Sequence, residues 1–421
     1  MSQKLPFPLA TTSDHDTLSC IPLTVLEAVV KQTGLYARKG RLSVFWGDQV
    51  FLPTAPVPTT STHHIDILCT LLPTAPTAED WSAQGLDKYG VIAVMKSSEN
   101  DSEDDAKPLE AAQVEKVSHE TATRLLASLG SVQQVGPSLG SFSVSATILR
   151  ALLTEFASEL TDKTDKLDTD PHFWMPLTLS QESYVELMAQ KGTDADISMK
   201  HYQRMANFKA NLDMGSSLGL FGAVNVGREA CWWDYGQLKL YAKNSLLLLE
   251  DDDASESAKL LRAFLGVTSP TMGSQLAPDA VTVDHSYIFG SRLNAGQVVS
   301  SLVAGVTAQE VELEGAIVVN CAARKIVAGK GAILYNIMDD SSDGVTVPAG
   351  AVWVGVTNEA GETFVLQSRM DIDGGTAWKV KLDANEQSFE QVHAMNKDAN
   401  IGLIATKRQE QYDQVVASIG M

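Results

Sequence analysis

The chain has 421 residues, is 44% hydrophobic and 20% charged, and carries a net charge of -20. That length exceeds what one core fills, so two or three folded domains are expected. A surplus of acid this large repels nucleic-acid phosphates and anionic membranes, which excludes both as main partners but leaves open nucleotides held by a few local groups and a metal.

In chain order, Leu23–Gln32 (LTVLEAVVKQ) has apolar residues at helical spacing, and Arg41–Val50 (RLSVFWGDQV) reads as a buried strand running into a Gly-Asp turn. Ile65–Leu72 (IDILCTLL) and Tyr89–Met95 (YGVIAVM) are two further buried strands, and Thr147–Leu160 (TILRALLTEFASEL) is an amphipathic helix. Strands alternating with helices predict an α/β fold with a doubly wound, mainly parallel sheet over residues 1–250. His63-His64 falls in a Pro/Thr/Ser-rich stretch without a carboxylate or cysteine at ligand spacing, and reads as an exposed loop. Ser97–Lys107 (SSENDSEDDAK) reads as an acidic surface loop. Asp168–Trp174 (DTDPHFW) admits two readings, a substrate loop covering a site or a packed turn before the next helix. Glu250–Ser257 (EDDDASES) is the expected domain boundary, opening a linker over 251–279.

Residues 280–385 are rich in Val, Ile, Gly, Ala and Asn and carry almost no helical signal. Apolar residues recur six apart at Leu293 and Val299, then at Val311, Ile317 and Ala323, with five-residue steps elsewhere. Such recurrence predicts an all-β, β-helix-like domain, with a β-sandwich as the alternative. Asp371-Ile372-Asp373-Gly374-Gly375 looks like a calcium loop but lacks the remaining ligand positions, so it reads as a tight turn. Residues 386–421 turn polar and read as a helical tail. Cys20, Cys69, Cys231 and Cys321 have neither metal-ligand spacing nor a disulfide-framework pattern, and are expected as reduced core residues of a cytoplasmic protein. No apolar run is long enough to span a membrane.

Three segments carry chemistry: Leu42–Phe51 (LSVFWGDQVF), Tyr89-Gly90-Val91 with Val114-Glu115-Lys116 downstream, and Trp232-Trp233-Asp234-Tyr235-Gly236. An apolar strand delivering Gly-Asp to its C-terminal end puts a carboxylate where α/β sheets bind ligands. Taken singly, Asp48 also reads as a turn residue, Asp234 as a cap beside buried tryptophans, and Glu115-Lys116 as a surface pair. In this order the segments resemble the sugar-nucleotide pyrophosphorylases, over roughly residues 20–340. The resemblance implies a sugar-1-phosphate nucleotidyltransferase, in which an oxygen of the sugar 1-phosphate attacks the α-phosphorus of an NTP and pyrophosphate leaves. It implies Asp48 and Asp234 as catalytic carboxylates holding Mg²⁺, whose charge orders the phosphates. It implies a sugar pocket of Gly90, Glu115 and Lys116, with Glu115 accepting from hydroxyls and Lys116 holding the phosphate. Gly140-Ser141-Phe142 resembles the segment that closes over the sugar, which adds Phe142 to the substrate-binding set. The second domain then corresponds to the family's left-handed β-helix, whose flat faces and open ends favour a homo-oligomer.

The family opens with a strand and a Gly-rich loop close to G-x-G-[TS]-R, which cradles phosphates on backbone N–H groups. No such loop stands among the 47 residues before Asp48, and Lys4 matches only the lysine that follows it. The expected sheet is therefore of nucleotidyltransferase type but incomplete at its N-terminus. It would belong to a truncated enzyme or to a non-catalytic relative acting as a structural or regulatory oligomer subunit.

Overall fold

The computed structural model describes residues 10–11, 21–22, 40–45, 49–58, 60–73, 75–83, 86–95, 108–127, 129–162, 169–212, 218–227, 231–251, 255–372 and 374–421. The chain forms two units, Val29–Gly47 with Phe51–Trp232, and Met1–Ala28 and Asp48–Val50 with Trp233–Met421. The helix expected at Leu23–Gln32 and the loop Ser97–Lys107 lie outside the described residues.

The strands up to the division are β1 (Ala10–Thr11), β2 (Ile21–Pro22), β3 (Arg41–Val44), β4 (Gln49–Leu52), β5 (His63–Cys69), β6 (Gly90–Met95), β7 (Ala111–Glu115), β8 (Val132–Ser145), β9 (Gly219–Asn225) and β10 (Cys231–Asp234). Six of them build the sheet of the first unit in the order β7-β6-β8-β5-β9, with β3 added beside β8. Of its pairs, β5 with β9 is parallel; β3 with β8, β5 with β8, β6 with β7 and β6 with β8 are antiparallel. The sheet is thus mixed, not mainly parallel as the sequence suggested. The cause is β8, a 14-residue strand. Its first half runs against β6 and its second half against β5 and β3. β7 then returns antiparallel beside β6 instead of crossing over.

Alternate residues of one strand feed two cores, as the two-residue period of a strand requires. Ile92 and Val94 of β6 pack with Ile148, Trp174, Leu177, Met205 and Phe208 on one face. Val91 and Ala93 pack with Trp81, Leu125, Leu126 and Leu187 on the other. Helices therefore cover both faces, and the unit is an α/β layer structure. The single helix expected at Thr147–Leu160 is two, Ala146–Glu155 and Ala157–Asp162, separated at Phe156. The first is capped by Ser145, whose hydroxyl accepts from the Ile148 N–H.

The second unit carries a β-solenoid. Tyr287, Leu302, Ile317, Ile333 and Val352 stack in parallel register on successive strands, so each coil is 15 residues long at first and lengthens later. Its inward ladder is Ile288, Leu293, Val298, Val303, Ala308, Leu313, Val318, Ala323 and Ala328, spaced five residues apart. The period is five, not six. The expected pairs Leu293/Val299 and Val311/Ile317 each join a core residue to one outside that core. One corner of the coil turns through left-handed backbone at Gly290, Gly305, Asn320 and Asn336, which is why glycine and asparagine recur there. A second corner turns the same way at His285, Ser300 and Gly315, and beside both corners the buried backbone finds side-chain partners. Ser301 Oγ donates to the Val299 carbonyl at 2.7 Å and accepts the Ala316 N–H at 3.0 Å. Ser291 Oγ accepts the Val306 N–H at 3.0 Å, one coil on.

The acidic run Glu250–Ser257, read as a boundary, lies inside this unit, where Ser255 caps the helix Glu256–Leu265. The tail forms helices Phe389–Met395 and Ile401–Ser418. Tyr412 of the latter donates to Thr307 Oγ1 at 2.8 Å, laying the helix along the coils. Asp371 pairs with Arg369 in a turn, and Asp373 lies outside the described residues. Cys69, Cys231 and Cys321 are buried free thiols, and burial pushes Cys69 and Cys321 up to about 12. Cys20 lies outside the described residues. Among the described residues no helix is long and apolar enough to cross a membrane.

Candidate functional site

A row of residues crosses the sheet at the C-terminal ends of the parallel pair β5 and β9. Glu115 is the register partner of Gly90, Cys69 that of Ser138, and Cys69 also that of Asn225. Gly90 and Ser138 complete the row, since a Cβ on Gly90 would stand 3.4 Å from Ser138 Cβ. This is the edge at which α/β sheets place ligands. Two residues 25 positions apart in sequence, Gly90 and Glu115, are brought side by side by the β6–β7 pairing.

Glu115 and Gln113 alternate onto the same face of β7, and both are buried. A Cβ on Gly90 would lie 2.9 Å from Gln113 Nε2 and 2.9 Å from Glu115 Oε2. Glycine at this position therefore lets both side chains lie flat over β6. Lys116 follows with a left-handed φ of 54°, and its N–H donates to the Tyr89 carbonyl at 3.1 Å. A non-glycine residue in this region carries roughly 1–2 kcal/mol of backbone strain. The turn aims the Lys116 ammonium back to 3.2 Å from Glu115 Oε1, while the lysine side chain stays largely exposed. An ion pair that open adds little stability but leaves the cation available to an anion.

Asp170 closes the cluster from above. It opens a π-helical turn, Asp170–Trp174, of a kind frequent at functional sites. Tyr184 Oη holds the turn by donating to the Pro171 carbonyl at 3.0 Å, and His201 Nε2 lies 2.8 Å from the His172 carbonyl. Gln113 Nε2 donates to Asp170 Oδ1 at 2.5 Å. Burial pushes the Asp170 carboxyl up to about 7, helped by the neighbouring Glu115 charge and opposed by the Gln113 bond and by Lys116. Gln113 Oε1 is buried without a hydrogen-bond partner. The cluster thus combines several acceptors, one carboxyl poised between its two states, and a cation at its rim. It suits a ligand that is rich in hydroxyls at one end and anionic at the other.

No model of a known protein family matches the chain, and no curated protein matches it.

Of the residues singled out in the sequence, Gly90, Glu115 and Lys116 come together. Phe142 does not join them: it is a core residue edge-on to Trp174, with ring centroids 5.1 Å apart. Asp234 belongs to the solenoid unit, and its strand is not part of the six-stranded sheet. Its Oδ1 accepts the Gly236 N–H at 2.6 Å in a local turn, and its carbonyl accepts from Asn244 Nδ2 at 2.7 Å. Asp48 lies outside the described residues. Among the described residues no group of three or more His, Cys, Asp or Glu side chains converges as a metal site.

Gln113 and Asp170 join the site without belonging to any of the three segments that carry the resemblance. Gln113 had a signal, since a strand residue two before Glu115 shares its face. Asp170 was visible only as part of the DTDPHFW string. His63 and His64, expected in an exposed loop, are buried in β5. Arg41 reverses the expectation by donating to both their carbonyls, at 3.0 and 2.9 Å, and by pairing with Asp66 at 3.4 Å. His64 Nδ1 lies 2.8 Å from Ser145 Oγ. This second cluster ties β3, β5 and β8 together at the end of β5 away from Cys69.

Proposed function

We propose that the protein is a sugar-1-phosphate nucleotidyltransferase, joining a sugar 1-phosphate to an NTP to give a nucleotide sugar and pyrophosphate, and that Gly90, Glu115 and Lys116 hold its sugar-phosphate half. The observation that carries this reading is the pairing of Gly90 with Glu115 across β6 and β7, with the Lys116 ammonium 3.2 Å from the Glu115 carboxylate. Glu115 then accepts from ring hydroxyls, and Lys116 receives the phosphate as a point charge. Lys116 also neutralises part of the charge that gathers when two phosphorylated substrates meet. The sequence resemblance adds a Mg²⁺ requirement to this reading. Pyrophosphate release over a panel of sugar 1-phosphates and NTPs with Mg²⁺ tests it. Turnover that falls at least a hundredfold in Glu115→Gln supports the assignment, and no turnover with any pair in the panel opposes it.

A second reading is a non-catalytic relative that serves as a structural or regulatory oligomer subunit through its solenoid. It is favoured by the engagement of the Asp234 carboxylate with the Gly236 N–H, a turn role that needs no metal. Sedimentation analysis separates the two when read beside the assay. A stable oligomer without turnover favours the subunit.

A further inference from the structure

We propose that Asp170 is a specificity-determining residue of this site, forming with Glu115 a proton-sharing clamp that engages a sugar hydroxyl as donor and acceptor at once. The inference rests on the reading that the cluster holds a sugar, and it goes beyond the Glu-Lys segment that carried the resemblance.

Asp170 Oδ1 accepts from Gln113 Nε2, and the Asp170 carboxyl also meets Glu115. Two carboxyl groups that share one buried site do not both ionise, so one of them carries a proton. The pair therefore presents one O–H donor beside carboxylate acceptors. Gln113 Oε1 adds a buried acceptor that lacks a partner, a cost that a donating ligand would relieve. A phosphate, which only accepts at neutral pH, gains nothing here and is repelled by Glu115. A sugar hydroxyl both donates and accepts, and it fits. The phosphate of the same ligand then lies toward Lys116, the exposed cation of the cluster. Gly90 lets Gln113 and Glu115 lie flat side by side, since a Cβ there would come within 2.9 Å of both side-chain ends. The clamp is held from behind by Tyr184 on the Pro171 carbonyl and by Thr178 Oγ1, which accepts the Gln113 N–H at 3.3 Å.

Proton sharing makes binding depend on pH. The charged groups acting on Asp170 are Glu115 and Lys116, both from the β7 end. The strands beside Glu115 offer Gly90 and Ser138, neither of which ionises. His172, on the same turn, packs its ring against His201 with centroids 5.7 Å apart. With Asp170 raised to about 7, a ligand that needs the shared proton loses roughly fifty-fold in affinity between pH 7 and pH 9. Sugar phosphates are already dianionic across that range, so the ligand's own titration does not intrude.

The test is calorimetric titration of the full chain with the 1-phosphates of glucose, galactose, mannose, fucose and N-acetylglucosamine at pH 7 and pH 9. The tightest-binding member is carried to Asp170→Asn and Asp170→Ala, with circular dichroism confirming the fold. Wild type is expected to weaken by tenfold or more at pH 9. Asp170→Asn keeps an isosteric donor and acceptor, so it should bind within about threefold of wild type at pH 7 and lose the pH dependence. Asp170→Ala should weaken binding at least tenfold. Wild-type affinity that is flat with pH, Asp170→Asn as weak as Asp170→Ala, or no binding by any member overturns the proposal. Binding with the expected pH dependence but no pyrophosphate release upholds the clamp while the transferase reading fails. Turnover with pH-independent binding does the reverse.

Discussion

Replacing Asp170 by Asn changes how stability depends on pH, in a direction the structure fixes. In the folded chain the Asp170 carboxyl is raised from 3.8 to about 7, first by burial and then by the Glu115 charge. Between these values the folded chain holds a proton that the unfolded chain has released. The contribution to stability is therefore fully present below pH 4 and is lost as pH rises through about 7. Three units correspond to about 4 kcal/mol at full strength; relaxation of a half-buried pair that shares its charge reduces this to roughly 2–4 kcal/mol. Asparagine reproduces the protonated form: its Oδ1 accepts from Gln113 Nε2 and its Nδ2 donates to Glu115. Asp170→Asn should thus match wild type within about 1 kcal/mol at pH 4.5 and exceed it by roughly 2–4 kcal/mol at pH 8.5. Urea unfolding followed by tryptophan fluorescence measures this, with Trp81, Trp174 and Trp232 reporting on the sheet unit. A variant less stable than wild type by the same amount at every pH would instead make Asp170 an ordinary ionised hydrogen-bond acceptor.

Gly90→Ala places a methyl 2.9 Å from both Gln113 Nε2 and Glu115 Oε2; these side-chain ends can move, so sugar-phosphate affinity should fall tenfold or more by calorimetry while stability changes by under about 1 kcal/mol. Arg41→Met strands the buried Asp66 carboxylate, now 3.4 Å from the guanidinium; urea unfolding should show a loss of about 3–5 kcal/mol. Ser301→Ala leaves the Ala316 N–H without its partner at a fully buried corner; the solenoid should lose about 1–3 kcal/mol, read as a lower denaturation midpoint, and Ser301→Cys should recover part of it as Cys321 does at its own corner.

The apolar runs behind β5 and β6 were legible because a strand covered on both faces needs continuous burial, and Tyr89–Met95 and Ile65–Leu72 supply it. Strand direction was not legible, since an apolar run reads the same whichever way its neighbour points. β8 was hidden by its composition: VQQVGPSLGSFSVS mixes Pro, Gly, Gln and Ser with its core residues, and its polar members serve the site and the Arg41 cluster. His63 and His64 looked solvated because their neighbours in sequence are polar, whereas their burial depends on Arg41 and Ser145, which only the fold brings near. In the solenoid the five-residue ladder was masked by small inward residues, Ala308, Ala323 and Ala328, which carry little hydrophobic signal. Gly90, Glu115 and Lys116 were legible as short motifs in order. Asp170 was legible only within the string DTDPHFW, one of whose two readings was a loop covering a site; its place over Gln113 comes from a π-helical turn whose geometry leaves no sequence period.

Whether the cluster around Glu115 holds a sugar 1-phosphate is decided by a crystal structure of the chain soaked in the tightest-binding sugar 1-phosphate. The sugar ring is expected over Gly90, with a hydroxyl shared by Glu115 and Asp170 and the phosphate within reach of Lys116 Nζ. Density for the sugar elsewhere on the molecule, or the phosphate seated between Asp170 and Glu115, would contradict it.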